Sequence, residues 1–338
     1  MLKKVCFIFM LVILFNSACT TENSVNTIGK IHRDDERINK LIPQDAVIEV
    51  LAEGFDWSEG PVWFRENEAV LFNDIPQNTT YKWSEKDGLG IFLRPAGYAM
   101  GDDPPGRELG SNGLYVHPLT GQLVCCDHGN RCIAALNTKI WTKSVLVDRF
   151  RGKKLNSPND IVISSSGHYY FTDPPYGLKR PDFPNQELDF SGIFHLTPKG
   201  ELILVSDELD RPNGIGLSPD EKTLYVANSG KRKVWLAFDV AADGSTGTAR
   251  VFYDATNFDK YGRGGGCDGL AVDKQGNIWA TGPGGVMVFT PDGEHLGSIE
   301  TGTAIANCCF GGKDGTELYM TADMYLCRVK VTVTGLGF

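Results

Sequence analysis

The sequence has no Gly-x-x-x-x-Gly-Lys-Ser/Thr loop to cradle a phosphate and no Gly-x-Ser-x-Gly turn to present a serine. P-loop nucleotide chemistry and serine-hydrolase chemistry therefore have no motif to rest on. Basic residues are in short supply, 33 Lys and Arg against 42 Asp and Glu, and the formal net charge of −9 argues against a nucleic-acid partner. Helical periodicity is scarce. With 39 glycines and 17 prolines among 338 residues, the composition favours short strands joined by turns over a helical bundle. The nine cysteines show no zinc-knuckle spacing, and the adjacent pairs Cys125-Cys126 and Cys308-Cys309 sit in apolar strand-like runs, where cysteine acts as a small hydrophobe.

A long hydrophobic run is also missing. The apolar stretch from Val5 to Phe15 is too short to span a bilayer comfortably, but it follows Lys3 and Lys4 and precedes Ser17, Ala18 and Cys19, the pattern of an export signal. The small residues before Cys19 resemble a bacterial lipoprotein lipobox, with ordinary signal-peptidase cleavage as the alternative. The expectation is a signal peptide over 1–18, a lipidated Cys19, and a polar flexible tether over 19–45. The folded domain over 46–338 would then be exported and anchored by lipid to a bacterial membrane, periplasm-facing or at the cell surface.

From there on the chain repeats. A residue bearing a side-chain oxygen, often followed by glycine, opens an alternating strand, a turn and a second apolar strand. Copies begin at Glu59, Asn112, Asn159, Asn213, Asp268 and Asn307, spaced 39 to 55 residues apart, close to the period of about 40–50 residues expected of propeller blades. Turns such as SPDEKT and DKQG separate the strands as hairpins require. The last copy has room for three strands, while the apolar segment Ala46–Gly54 precedes the first copy without a partner. The expected fold is all-β, a six-bladed propeller of four-stranded blades whose ring the N-terminal strand closes.

The phase of the repeat places those six residues where the innermost strands begin, at one mouth of the central channel. All six offer oxygen, none offers sulfur or imidazole, and two are acids. Such a set suits Ca²⁺, with another divalent ion such as Zn²⁺, Mg²⁺ or Mn²⁺ as the alternative. For a single residue, Asn-Gly or Asp-Gly at a strand entry is ordinary turn chemistry. Six in one phase, one of them a glutamate, point to a polar ring around an ion or ligand.

At these motifs the chain resembles the gluconolactonase and senescence-marker-protein (regucalcin) family, most closely its bacterial gluconolactonase branch. The matching segments are WSEGPVWF from Trp57, CCDHGNRC from Cys125, NSPNDIVISSSGHYYFTDPPYGL from Asn156, RPNGIGLSPDEKTLYVANS from Arg211, CDGLAVDKQGNIWATGPGGVMVF from Cys267 and ANCCFGG from Ala306. The resemblance implies a propeller with one catalytic divalent ion, usually calcium. It implies that Glu59, Asn213 and Asp268 are metal ligands, that Asn159 is a further ligand or a substrate contact, and that Asp268 is also the general acid/base. Ser157 stands where the mammalian branch has an arginine, so that branch's sugar contacts do not carry over.

The implied activity is hydrolysis of sugar lactones such as glucono-1,5-lactone, by metal polarisation of the carbonyl and attack of water. His128 in DHGNR is the other candidate base, since imidazole titrates near neutral pH. Asn112, Arg131 and Tyr176 are candidate substrate contacts, whereas Asp173 is expected to bond loop amides. Two other readings stay open: a hydrolase of other esters, lactones or phosphotriesters, and a non-catalytic carbohydrate-binding propeller with structural calcium. A monomer is expected.

Overall fold

The apolar-polar alternation between turn signals resolves into six antiparallel four-stranded sheets around an axis. The computed structural model describes residues 26–99, 106–180, 183–262 and 265–338, so the expected signal peptide and Cys19 lie outside the described residues. Blade 1 consists of Ser58–Phe64, Ala69–Asp74, Thr79–Ser84 and Gly88–Leu93; blade 2 of Ser111–Val116, Leu123–Asp127, Cys132–Asn137 and Thr142–Val147. Blade 3 consists of Ile161–Ile163, Tyr169–Asp173, Gly192–Leu196 and Leu202–Ser206; blade 4 of Pro212–Leu217, Thr223–Asn228, Val234–Val240 and Thr246–Asp254. Blade 5 runs Leu270–Val272, Ile278–Gly282, Gly285–Phe289 and His295–Glu300.

Blade 6 takes Asn307–Gly311, Glu317–Ala322 and Tyr325–Lys330 from the C-terminal end and its outer strand, Glu49–Glu53, from the N-terminal end. Glu49 lies opposite Arg328 and Glu53 opposite Tyr325, and Arg328 Nε donates to Glu49 at 2.8 Å. The ring is closed by the N-terminal strand, which gives the last blade its fourth strand.

Inner and middle strands are buried on both faces, as in Ala69–Asp74, while the outer strand Thr142–Val147 is largely exposed. Hydrophobic clusters fill each seam between neighbouring blades. Leu71 meets Leu114 and Cys125 between blades 1 and 2, Val124 meets Phe171 between 2 and 3, and Tyr170 meets Val226 between 3 and 4. Trp235 meets Phe289 between blades 4 and 5, Trp279 meets Met320 between 5 and 6, and Tyr319 meets Phe72 between 6 and 1. The cysteines of the described residues are free, and all but Cys309 are buried, as small hydrophobes in these seams.

The expected tether over 19–45 is corrected over its described part. Lys30–Arg33 pairs antiparallel with His295–Glu300 as a fifth strand on blade 5, and Thr27 bridges Glu49 on blade 6. A 3-10 turn, Glu36–Lys40, follows, its first amides capped by Asp35, which accepts from Arg37 N at 2.9 Å. Ile38, Leu41 and Ile42 are buried in the seam of blades 5 and 6. The apolar residues of this strap fit no single period because a strand, a bend and a 3-10 turn succeed one another within twenty residues, so each contributes too few positions for a pattern to register.

Candidate active site at the channel mouth

The residue after each ring position explains why the motif so often reads Asn-Gly or Asp-Gly. A Cβ at Gly60, Gly113, Gly214 or Gly269 would collide with Asn112, Asn159, Asp268 or Asn307 of the next blade. These glycines are there for close approach between blades, and of the four only Gly60 has a positive φ, 53°. The approach is sealed by hydrogen bonds: Gly113 N donates to the Asn159 carbonyl and Gly269 N to the Ala306 carbonyl, each at 2.8 Å. Polar residues on the second strands reach across in the same phase. Asn73 Nδ2 donates to the Asn112 carbonyl at 2.6 Å, Thr172 Oγ1 to the Asn213 carbonyl at 2.7 Å, and Thr281 Oγ1 to the Ala306 carbonyl at 3.0 Å. Each blade thereby positions the inner-strand entry of the next.

Glu59, Asn112, Asn159, Asn213 and Asn307 are all buried at these entries. Their convergence is visible directly. Asn307 Nδ2 of blade 6 donates across the channel to Asp160 Oδ2 of blade 3 at 3.3 Å, and Glu59, Asp160 and Asp268, from blades 1, 3 and 5, feel one another's charge. Burial, together with the charges of Asp268 and Asp160, raises Glu59 well above the usual carboxylate range. Burial and Asp160 raise Asp268 to about 8, and burial raises Asp160 to about 6 against a hydrogen bond from the Ile161 amide. Among the described residues, no lysine or arginine acts on any of the three.

Asn213 Nδ2 donates to Ser229 Oγ at 3.0 Å, and the Asn213 amide also hydrogen-bonds Asp268. Tyr176, from the DPPYG loop, shares a 2.6 Å hydrogen bond with the same Ser229, and the charge of Asp268 helps burial raise its hydroxyl to about 12. Tyr176, Ser229, Asn213 and Asp268 therefore form one polar line into the mouth.

Among the described residues, no three His, Cys, Asp or Glu side chains form a metal cluster by themselves. The donor set here is mixed, carboxylates with amide oxygens, and that is the set a hard divalent cation takes. It fits: among the described residues, Asp268 Oδ1 and Asn112 Oδ1 are buried without a hydrogen-bond partner, and the three converging carboxylates have no counter-charge.

Two residues were missed from the sequence. Asp160 stands where four of the six copies have glycine, and that contrast is the signal that could have found it. Ser229 follows the strand Thr223–Asn228 and nothing in its pattern marks it. Arg131 Nε donates to the Leu155 and Asn156 carbonyls at 2.8 and 3.1 Å, and Nη1 to the Asn185 carbonyl at 3.1 Å, backbone partners that the sequence did not suggest. These bonds tie the blade 2 turn to the loop before blade 3 and to the loop of Asn185 within it, while Nη2 is buried without a hydrogen-bond partner among the described residues. Asp173 accepts from the Asn156 amide at 2.7 Å, the loop-bonding role expected of it. His128 is buried, with Nδ1 at 3.0 Å from Glu108 and its ring packed against Gly177 of the Tyr176 loop.

Six blades around an acidic, oxygen-lined axial mouth define the class: a β-propeller with a polar site at one end of its channel. The chain belongs to the SMP-30/gluconolactonase/LRE-like family, whose model matches residues 57–323. It is 41% identical over 331 residues to a gluconolactonase of Zymomonas mobilis, covering 94% of this chain and 91% of that one. It is 26% identical over 283 residues to Homo sapiens regucalcin, covering 80% and 85% respectively. Among solved structures it is similar to a gluconolactonase from Xanthomonas campestris, at 30% identity and a TM-score of 0.78, covering 91% of this chain and 97% of that chain.

Proposed function

We propose that this protein is a calcium-dependent lactonase that opens sugar lactones such as glucono-1,5-lactone to the aldonic acid. The observation that carries the reading is the meeting of Glu59, Asp160 and Asp268 from three blades, with no counter-charge and with Asp268 Oδ1 unpartnered among the described residues. Gluconolactonase relatives covering most of the chain supply the reaction class. Glu59, Asn159, Asn213 and Asp268 would hold the cation, and a bound divalent ion supplies polarisation of the lactone carbonyl and charge stabilisation as that carbonyl is attacked.

The protein's own residues do the rest. Asn112, with its Oδ1 free of other bonds, and Tyr176, with its hydroxyl fixed by Ser229, are placed to hold the hydroxyls of a sugar ring. Hydrolysis requires that a proton leave the attacking water and reach the ring oxygen as the acyl bond breaks. We assign that proton transfer to Asp268 or His128. The buried walls of the mouth keep competing water few. We also propose export and lipid anchoring through Cys19. Because the chain packs on blades 5 and 6 from Thr27 onward, any free tether is confined to the residues before it.

The test is hydrolysis of glucono-1,5-lactone by the purified protein, corrected for spontaneous opening, with calcium and with chelator. Turnover that chelation abolishes and calcium restores is the expected result. Full activity in chelator would remove the cation from the reading, and no turnover with calcium present would remove the lactone.

A further inference from the structure

One buried nitrogen beside the mouth has no partner, and its ring is held by a group outside the ring of oxygens. The His128 side chain is fully buried and its Nε2 makes no hydrogen bond. A buried polar atom left unpaired is costly, so such atoms persist where something else uses them. Its other nitrogen, Nδ1, lies 3.0 Å from Glu108 Oε2, and Glu108 Oε1 pairs with Arg107 Nη2 at 2.5 Å. Burial pushes the Glu108 carboxyl up, but the hydrogen bond and charge of His128 and the charge of Arg107 outweigh it and hold it below the usual glutamate range. An ionised carboxylate only accepts, so Nδ1 carries the hydrogen, and in that tautomer the lone pair sits on Nε2.

The surroundings connect this pair to the site. A Cβ on Gly177 would lie 3.2 Å from His128 Cβ and Cγ, so the ring packs directly beneath the loop that carries Tyr176. That loop is fastened on both sides. Gly177 N donates to Ser157 Oγ at 2.9 Å, Arg107 N to the Gly177 carbonyl at 2.9 Å, and Arg107 Nε to the Tyr176 carbonyl at 3.1 Å. Tyr176 then reaches Ser229, the partner of Asn213. Segment 106–108, His128 and the Tyr176 loop form one unit against the mouth.

We propose that His128 and Glu108 form the proton-carrying pair of the lactonase, with His128 Nε2 the base and Glu108 a positioning residue that fixes its tautomer; this rests on the lactonase reading above. As the oxygen of water bonds to the carbonyl carbon, Nε2 takes one of its protons. When the bond from that carbon to the ring oxygen breaks, the electron pair goes to the ring oxygen and Nε2 returns the proton there. Lactone and water become hydroxy acid with nothing left over. Asp268 is then free to remain an anionic ligand, a role that would lower its basicity.

The experiment measures kcat and KM for glucono-1,5-lactone with the calcium-loaded full chain. Its variants are His128→Gln, His128→Ala with and without added imidazole, Glu108→Gln and Asp268→Asn. It also reads the ¹⁵N signals of His128 in the wild type. His128→Gln is expected to lower kcat by about 10²–10⁴-fold with KM little changed. Imidazole should restore part of the activity of His128→Ala, and Glu108→Gln should lower kcat less than His128→Gln does. The wild-type spectrum should show a protonated Nδ1 and a bare Nε2, and this decides the matter if the variants fail to fold. A His128→Gln enzyme within about threefold of wild-type kcat, or a ring protonated on Nε2 alone, overturns the pair while leaving the lactonase standing. Absence of turnover in the wild type overturns both.

Discussion

Asp268→Asn should make the chelated protein more stable while making it indifferent to calcium. In the cation-free protein, burial and Asp160 raise the Asp268 carboxyl from 3.8 to about 8. A carboxyl whose folded value is raised binds its proton more tightly in the folded state. Below pH 3.8 both states are protonated and no penalty exists. Between 3.8 and 8 the unfolded chain sheds the proton first, so stability falls as pH rises, and above 8 the loss is constant. At about 1.4 kcal/mol per pH unit, the loss is about 4 kcal/mol at pH 7 and about 2 kcal/mol at pH 5. Asparagine keeps the shape and hydrogen-bonding reach without the charge, and it also relieves Glu59. The variant's thermal midpoint in chelator should therefore exceed that of the wild type by several degrees at pH 7, at roughly 2 °C per kcal/mol, and by less at pH 5. Calcium should raise the wild-type midpoint and leave the variant's nearly where it was. Thermal unfolding at pH 5, 7 and 8.5, with chelator and with calcium, tests this directly. A chelated variant less stable than the wild type at pH 8.5, or a gap that does not change with pH, would falsify the electrostatic account of the mouth.

Other substitutions separate site from scaffold. Gly214→Ala places a methyl group against the Asp268 backbone, inside contact distance; it should cost about 1–3 kcal/mol and most of the activity, read by melting and turnover together. Ile42→Ala opens a cavity in the seam of blades 5 and 6 and should cost about 2–5 kcal/mol in denaturant unfolding with kcat unchanged. Arg131→Ala strands carbonyls that the guanidinium now satisfies, so it should cost about 1–3 kcal/mol and leave KM for lactone unaltered, the reverse of what a substrate contact would give.

What the sequence disclosed and what it hid follow from the same geometry. The six entries were legible because one blade repeats, so Glu59, Asn112, Asn159, Asn213, Asp268 and Asn307 fell into phase without any knowledge of contacts. Asp160 was not legible by strand alternation. That rule sends the neighbour of an inward residue outward, but Asn159 and Asp160 precede the strand Ile161–Ile163, where the pleat has not begun. The same irregularity appears as register shifts near the start of the inner strands of blades 1, 2 and 4. The backbone partners of Arg131 were hidden too, because a single residue in a turn, here with a left-handed φ of 58°, carries no periodicity from which its direction could be read.

The N-terminal strap bears on why the mouth can hold three uncompensated acids at all. Each acid is presented by the inner strand of a blade whose flanks are buried in two seams, so spreading the blades to relieve the repulsion would expose those seams. Blade 5 presents Asp268, and its outer edge, otherwise a row of unpaired backbone groups, is covered by Lys30–Arg33. The 3-10 turn that follows sets Ile38 into the seam with blade 6, the blade of Asn307. Arg33 locks the strap by donating to Asn39 Oδ1 at 2.8 Å and to the Ile42 carbonyl at 3.0 Å. Apolar burial of a few such side chains is worth about 1.5–3 kcal/mol each, the same order as the charge penalty at Asp268. The residues before the first blade thus belong to the rigid frame that holds the three acids together.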